Sequence, residues 1–406
     1  MKPAYQDTDK RMRNLRPLYI IIGILAFLFL ADKIFLIPEV RDRFMQPGGM
    51  VYYRHRLHQL DKFAEYQSAT RVESAEKLRG AEGQGSNKAD KKTVVVLGDS
   101  RSFGIGTSMA EAAGRNDVVI WNFAGPQAVP AYHLFLLERM LQSENPPDAV
   151  IIGMSPDGLG RNAGIFASPV LNYGVDTSFI EKYRSQIPNR DLQTYENSRR
   201  FAIVGMQFSL RTLIRRTRGS LSSKDPLEKL QPYLQGKELS EQEKARYLSL
   251  FQASSENLSI YDFNTSPQIE ILDQLKGAQY AWFGAMSDEE LKAETDTLVS
   301  LYLDAFVVSE EQMFYLERIF ELLNKARIPA VVFWPRVNPY LRQVYNEEPR
   351  ISMLWRRVVR LADRYGLATA DLNAAEATNC QHYYDASHLS IDCYPSITAY
   401  LLKQLP

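Results

Sequence analysis

Hydrophobic positions fall into three regimes along the chain. From Pro17 to Ile37 nearly every residue is apolar, with Asp32 and Lys33 as the interruption. That is about the ~20 residues a membrane-crossing helix needs. Residues 39–91 turn polar. Scattered Tyr, Leu and Phe predict a surface helix or stalk over 50–79, and Ala81 to Asn87 has the composition of a flexible linker. From Lys92 onward, short apolar runs appear at 93–97, 117–123, 148–153, 330–334 and 368–372. Continuous runs of that length suit strands covered on both faces. Helical patterns at 108–113, 132–142, 310–327 and 350–365 lie between them, and a last helix is predicted over 395–405. Strand, helix, strand at this spacing predicts an α/β fold with a parallel sheet and crossover helices.

Between about Gly160 and Val308 the strand rhythm stops. The segment is too long for a loop, so a mainly helical insertion is expected, with helical patterns at 199–218 and 287–304. The first carries Arg199, Arg200, Arg211, Arg215, Arg216 and Arg218. It reads as a solvated face packing on the domain, or more sharply as a face for an anionic membrane surface or glycan. The expected organisation is a tail over 1–16, an anchor over 17–38, a stalk and linker over 39–91, and a domain over 92–406 with its insertion at about 160–308.

Charge sets the orientation. Lys2, Lys10, Arg11, Arg13 and Arg16 precede the apolar stretch against Asp7 and Asp9, which predicts a cytoplasmic N-terminus. Phe29-Leu30-Ala31 lacks the small residue expected three before a signal-peptide cut. The expectation is therefore an uncleaved single-pass anchor with an extracytoplasmic main domain, periplasmic in a Gram-negative cell. Over the whole chain, 48 basic residues balance 48 acidic ones, so nothing calls for a nucleic-acid partner. Neither the cysteines nor the histidines have zinc spacing. Gly104 and Gly106 lack the third glycine of a dinucleotide fingerprint, and no metal or cofactor is expected.

Candidate chemistry begins where the run at 93–97 ends, in Gly98-Asp99-Ser100. A serine on a sharp turn at the C-terminal end of a parallel strand lies where open α/β sheets bind ligands. Near the other end the chain reads Tyr384-Asp385-Ala386-Ser387-His388. A serine needs a base to take its proton, and the base needs an orienting carboxylate. His382 is a rival base without a carboxylate three residues ahead of it. Asp99 reads as shaping the turn. The Gly-x-Ser-x-Gly elbow is absent, because Ser102 stands where its last glycine belongs.

Gly-Asp-Ser after the first strand, with Asp-x-x-His close to the end, resembles the SGNH (GDSL-type) hydrolase superfamily over about 92–160 and 308–406. That resemblance implies a three-layer sandwich around a central parallel sheet, flavodoxin-like, and a catalytic triad of Ser100, His388 and Asp385. It also implies an oxyanion hole from Ser100, a backbone donor after the second strand and a side chain after the third. The glycine after the second strand is Gly125, whereas an ungapped count reaches Gln127. After the third strand Ser155 replaces the family's asparagine. Cys380 and Cys393 bracket the triad loop. They are either two separate thiols or a disulfide, and an exported domain favours the bridge.

A single anchor with an exported domain is similar to the D-alanyl transfer protein of teichoic acids and to alginate O-acetyltransferases. The resemblance implies a serine O-acyltransferase or esterase acting on an envelope polysaccharide or lipid, beside a multi-span membrane acyltransferase. The alternative is a non-catalytic envelope protein that keeps the fold and binds a glycan or partner.

Overall fold

The computed structural model describes residues 5–37, 40, 53, 57, 59–69, 91–125, 127–143, 146–161, 170–172, 174–205, 286–304, 306–374 and 377–405. The linker at 81–87 lies outside them. The chain divides into two units: Met1–Gln46 with Asn189–Gly219, and Pro47–Pro188 with Ser220–Pro406.

In the first unit, helix α1 (Tyr5–Ile34) contains the stretch Pro17–Ile34, long and apolar enough to cross a membrane. Its large side chains from Leu18 to Leu30 are exposed. The two charges at its end are satisfied locally. Lys33 Nζ meets Asp32 at 3.2 Å and also donates to the Arg200 carbonyl, while Asp32 Oδ1 accepts the Ile203 N–H at 2.9 Å. The helix Asn189–Arg200 stops at Arg200, and Ala202–Gly205 forms one separate turn. The arginine-rich helix expected to run on from Arg199 is thus broken at Phe201, and 206–218 lie outside the described residues.

The second unit is built on β1 (Lys92–Leu97), β2 (Val118–Asn122), β3 (Ala149–Gly153), β4 (Ala330–Trp334) and β5 (Ala368–Asp371). They form one sheet in the order β2-β1-β3-β4-β5, with every neighbouring pair parallel. The helices that bear on the site are α2 (59–69), α3 (Thr107–Ala112), α4 (Pro130–Gln142), α5 (Asp288–Leu298), α6 (Glu310–Ala326), α7 (Pro339–Glu347), α8 (Pro349–Arg364) and α9 (Tyr394–Gln404). Alternate strand residues Val94, Val96, Ile120, Ile151 and Val331 share a core with Met109 of α3 and Ile397 and Leu401 of α9. Helices α4 and α6 pack on each other, and Gln312 Oε1 accepts the Ala131 N–H at 3.1 Å.

Two expectations need comment. The region read as a stalk is in part core. In α2, Gln59, Phe63 and Gln67 are buried at helical spacing, and Phe63 meets Trp121 and Phe123 edge-on. Its buried amides hid this face: Gln67 pairs with Thr93 Oγ1 at 3.2 Å and the Pro146 carbonyl at 3.3 Å. The expected insertion leaves and returns at one point, because Gly160 and Val308 form an antiparallel bridge. Residues 206–285 of it lie outside the described residues.

Candidate active site

Strand order places the opening of the site. In a β2-β1-β3-β4-β5 sheet the order of strand addition reverses between β1 and β3, and the crevice beyond their C-terminal ends is the usual ligand position. The turn after β1 carries Ser100. Asp99 caps it, since its Oδ1 accepts the Arg101 N–H at 2.9 Å and its carbonyl accepts the Ser102 N–H at 2.9 Å. Asn122, fully buried at the end of β2, donates to the carbonyls of Ser102 (2.7 Å) and Ile105 (2.8 Å) and locks the turn from below. Gly98 and Gly153 are required here. The hydroxyl of Ser102 fills the space that a Cβ would take at either. Ser102 is itself fully buried, which leaves Ser100 as the accessible hydroxyl of the turn.

Ser100 Oγ lies 2.7 Å from His388 Nε2. His388 Nδ1 lies 2.8 Å from both carboxylate oxygens of Asp385, so its proton belongs on Nδ1 and the lone pair on Nε2 faces the serine. Asp385 Oδ1 also accepts the N–H groups of Ser387 (2.7 Å) and His388 (2.8 Å). Burial would raise the Asp385 carboxyl, but the bond from the His388 ring and these two N–H groups outweigh it. They hold the carboxyl below the ordinary carboxylate range. His382 is exposed and its Nδ1 pairs with Asp392 at 2.6 Å.

The loop carrying Asp385 and His388 is closed at its base by a Cys380–Cys393 disulfide. It is also a short hairpin. Tyr383 bridges Leu389, and the Tyr384 N–H donates to the His388 carbonyl at 2.9 Å. Asn338 Nδ2, after β4, donates to the Ala386 carbonyl at 2.7 Å, and the Tyr383 hydroxyl donates to the Val337 carbonyl at 3.0 Å. The loop is therefore held from several sides.

Two of the groups expected at an oxyanion hole make hydrogen bonds within the protein. Ser155 is buried and its hydroxyl donates to Asp99 Oδ2, so it is spent on the turn. The Gly125 N–H donates to the Gly98 carbonyl at 3.0 Å and is spent as well. Gln127 adopts a left-handed backbone, φ 52°. That conformation favours glycine, the residue that the resemblance to the SGNH hydrolases leads one to expect there. Among the described residues, the N–H groups of Ser100 and Gln127 meet no acceptor.

Two residues around the turn were not singled out in the sequence reading. Arg101 is buried. Its Nη1 meets Asp99 at 3.0 Å, its Nη2 meets Asp157 at 2.7 Å, and its Nε donates to the Ser387 carbonyl at 3.2 Å. Burial opposes the charge, but Asp157 and Asp99 outweigh it and hold the guanidinium well above its ordinary range. His133 of α4 is wholly buried, with Nε2 donating to the Gly98 carbonyl at 3.2 Å. Burial lowers its pKa to about 4, against the opposing effect of that bond, so the ring is neutral. A histidine in the apolar run of α4 and an asparagine closing the apolar run of β2 were the available signals, because buried polar groups imply partners.

The chain belongs to the DUF1574 family, described as a protein of unknown function, whose model matches residues 12–405. No curated protein matches the chain.

Proposed function

We propose that the protein is a membrane-anchored serine O-acyltransferase or esterase of the SGNH type, acting outside the cytoplasm on a cell-envelope glycan or lipid. The single observation that carries this reading is the continuous line Ser100 Oγ–His388–Asp385, with steps of 2.7 and 2.8 Å. In this reading His388 Nε2 takes the proton as Ser100 Oγ attacks an ester carbonyl. The tetrahedral intermediate collapses, the alkoxide leaves with the proton from His388, and an acyl-serine remains. Water or a sugar hydroxyl, deprotonated by His388, then releases the acyl group as acid or new ester. The oxyanion would be met by the N–H groups of Ser100 and Gln127, which meet no acceptor among the described residues, and such donors are worth a substantial part of the rate. The helix pairs α3/α9 and α4/α6 would form the outer layers of a three-layer sandwich. A multi-span membrane acyltransferase is the partner protein this reading expects, and a cytoplasmic N-terminus follows from the basic flank of α1.

Labelling the full chain with a fluorophosphonate tests the nucleophile. Wild type and Ser102→Ala should label wherever they fold, and Ser100→Ala should not. A folded wild type that never labels removes the enzymatic reading. Alkaline phosphatase fused after Ser86 should be active if the domain is exported, and an inactive fusion would reverse the orientation.

One observation favours a second reading, a non-catalytic envelope protein that binds a glycan or partner. Two of the three groups expected to stabilise an oxyanion, Gly125 N–H and Ser155 Oγ, are engaged elsewhere.

A further inference from the structure

A cleft of about 420 Å³ opens beyond the C-terminal ends of β4 and β5, and the triad chemistry does not use it. Arg336 enters from the end of β4, Arg342, Gln343 and Asn346 from α7, and Gln381 and Tyr383 from the disulfide-closed loop. Arg336 is fixed. Its Nη1 donates to the carbonyls of Leu372 (3.3 Å) and Thr378 (3.2 Å). Its Nε is shut off from solvent and meets no acceptor among the described residues. Arg342 is exposed on α7. Neither arginine has an ion-pair partner among the described residues. Glu347, the carboxylate on the rim, accepts from Gln343 Nε2 at 2.7 Å.

A groove of similar size between α6 and α8 provides the contrast. There Arg357 forks onto Glu310 at 2.7 and 2.6 Å, and Arg364 meets Glu317 at 3.1 Å. Those arginines serve the packing of two helices. The pair in the β4–β5 cleft serves no such pairing, and two like charges facing one cleft disfavour each other unless an anion joins them. Their field converges on Tyr383. Burial raises its phenol, and Arg336 and Arg342 both act in the opposite sense.

We infer that this cleft is a binding site for an acidic oligosaccharide. Arg336 and Arg342 take its carboxylate or phosphate, and the amides of Gln343, Asn346 and Gln381 take neighbouring hydroxyls. Guanidinium groups suit planar or tetrahedral oxyanions through paired N–H donors, and carboxamides both give and accept hydrogen bonds as sugar hydroxyls do. The inference does not depend on Ser100 being a nucleophile, and its test is binding without turnover.

The experiment is calorimetric titration of the full chain in detergent, in a Ser100→Ala background, with trigalacturonate, monophosphorylated maltotriose and neutral maltotriose. At least one acidic probe should bind ten-fold or more tighter than maltotriose, and which one identifies carboxylate or phosphate as the anion. Arg342→Glu, on an exposed helix position, should cost ten-fold or more in that affinity, while Arg360→Glu in the other groove should leave it unchanged. Arg336→Gln should lose binding too, with circular dichroism to check its fold. Equal affinity for acidic and neutral probes, no binding by any of them, or an Arg342→Glu chain that binds like its parent would overturn the site. Inorganic phosphate binding as tightly as the trisaccharides would overturn the sugar component.

Discussion

Arg101, the residue after Ser100, donates from Nε to the carbonyl of Ser387, the residue before His388, at 3.2 Å. One buried guanidinium thus ties the turn of the proposed nucleophile to the loop of its proposed base, 286 residues apart in the chain. It also pairs with Asp99 and Asp157. A lysine could reach one or two of these three partners, because its ammonium is a compact donor rather than a planar fork. Arg101→Lys should therefore keep the fold and lower the fluorophosphonate labelling rate of Ser100 at least ten-fold, with partial rescue by added guanidinium. Arg101→Met leaves two carboxylates uncompensated and should cost about 3–5 kcal/mol of stability. A lysine variant that labels at the wild-type rate would remove Arg101 from the positioning of the site.

Ser155 gives a second, separable prediction. Its hydroxyl donates to Asp99, so its loss should act through the turn. Ser155→Ala should cost about 1–2 kcal/mol of stability. Combined with Asp99→Asn the two effects should be strongly non-additive, as for residues sharing one bond. Additive losses in labelling rate and in melting temperature would argue that Ser155 acts directly on a bound substrate instead.

His133 predicts how stability follows pH. Its ordinary value is 6.5, and the folded protein holds it at about 4. A depressed value means that the unfolded chain takes up a proton first as pH falls. The contribution is complete above 6.5 and is lost progressively as pH drops toward about 4. A shift of this size corresponds to about 3 kcal/mol. Gln can donate to the Gly98 carbonyl without titrating, so His133→Gln should flatten the stability curve across that window. The loss tied to Asp385, whose carboxyl is held below its ordinary range, belongs at lower pH. Denaturation curves of wild type and variant with the same slope between pH 4 and 6.5 would contradict this.

What the sequence made legible was local. The runs behind β1, β3 and β4 are apolar without alternation and are buried throughout the observed strands, apart from the first residue of β1. Ser100 stood out because a glycine and small polar residues ended the first run. Arg101 did not stand out, because an arginine in a turn reads as solvated. Its burial also needs Asp157, 56 residues on, and Ser387, besides the adjacent Asp99. The same non-locality hid α2. Its buried face is Gln59, Phe63 and Gln67, polar by composition until Thr93 and the Pro146 carbonyl supply partners. The internal partners of Ser155 and Gly125 were hidden for a related reason. Spacing put them near the turn but did not reveal that Asp99 and the Gly98 carbonyl would occupy them.

The disulfide supplies the last prediction. Cys380 and Cys393 are joined across a separation of 13 residues, and Cys393 is fully buried in the core that includes Met109 and Ile397. Closing a loop of this size should contribute about 3 kcal/mol through the unfolded chain. Its effect on the site should be smaller, because the hairpin hydrogen bonds, Asn338 and Tyr383 hold Asp385 and His388 without it. Substituting both cysteines with alanine avoids placing an unpartnered hydroxyl in the core. The Cys380→Ala/Cys393→Ala chain should melt several degrees lower, yet label at Ser100 within a few-fold of wild type, a smaller loss than Arg101→Lys causes. Thiol titration of the native protein should find no free cysteine. Two titratable thiols in labelling-competent protein, or a double-alanine chain that melts with the wild type, would show that the bridge has no part in holding the loop.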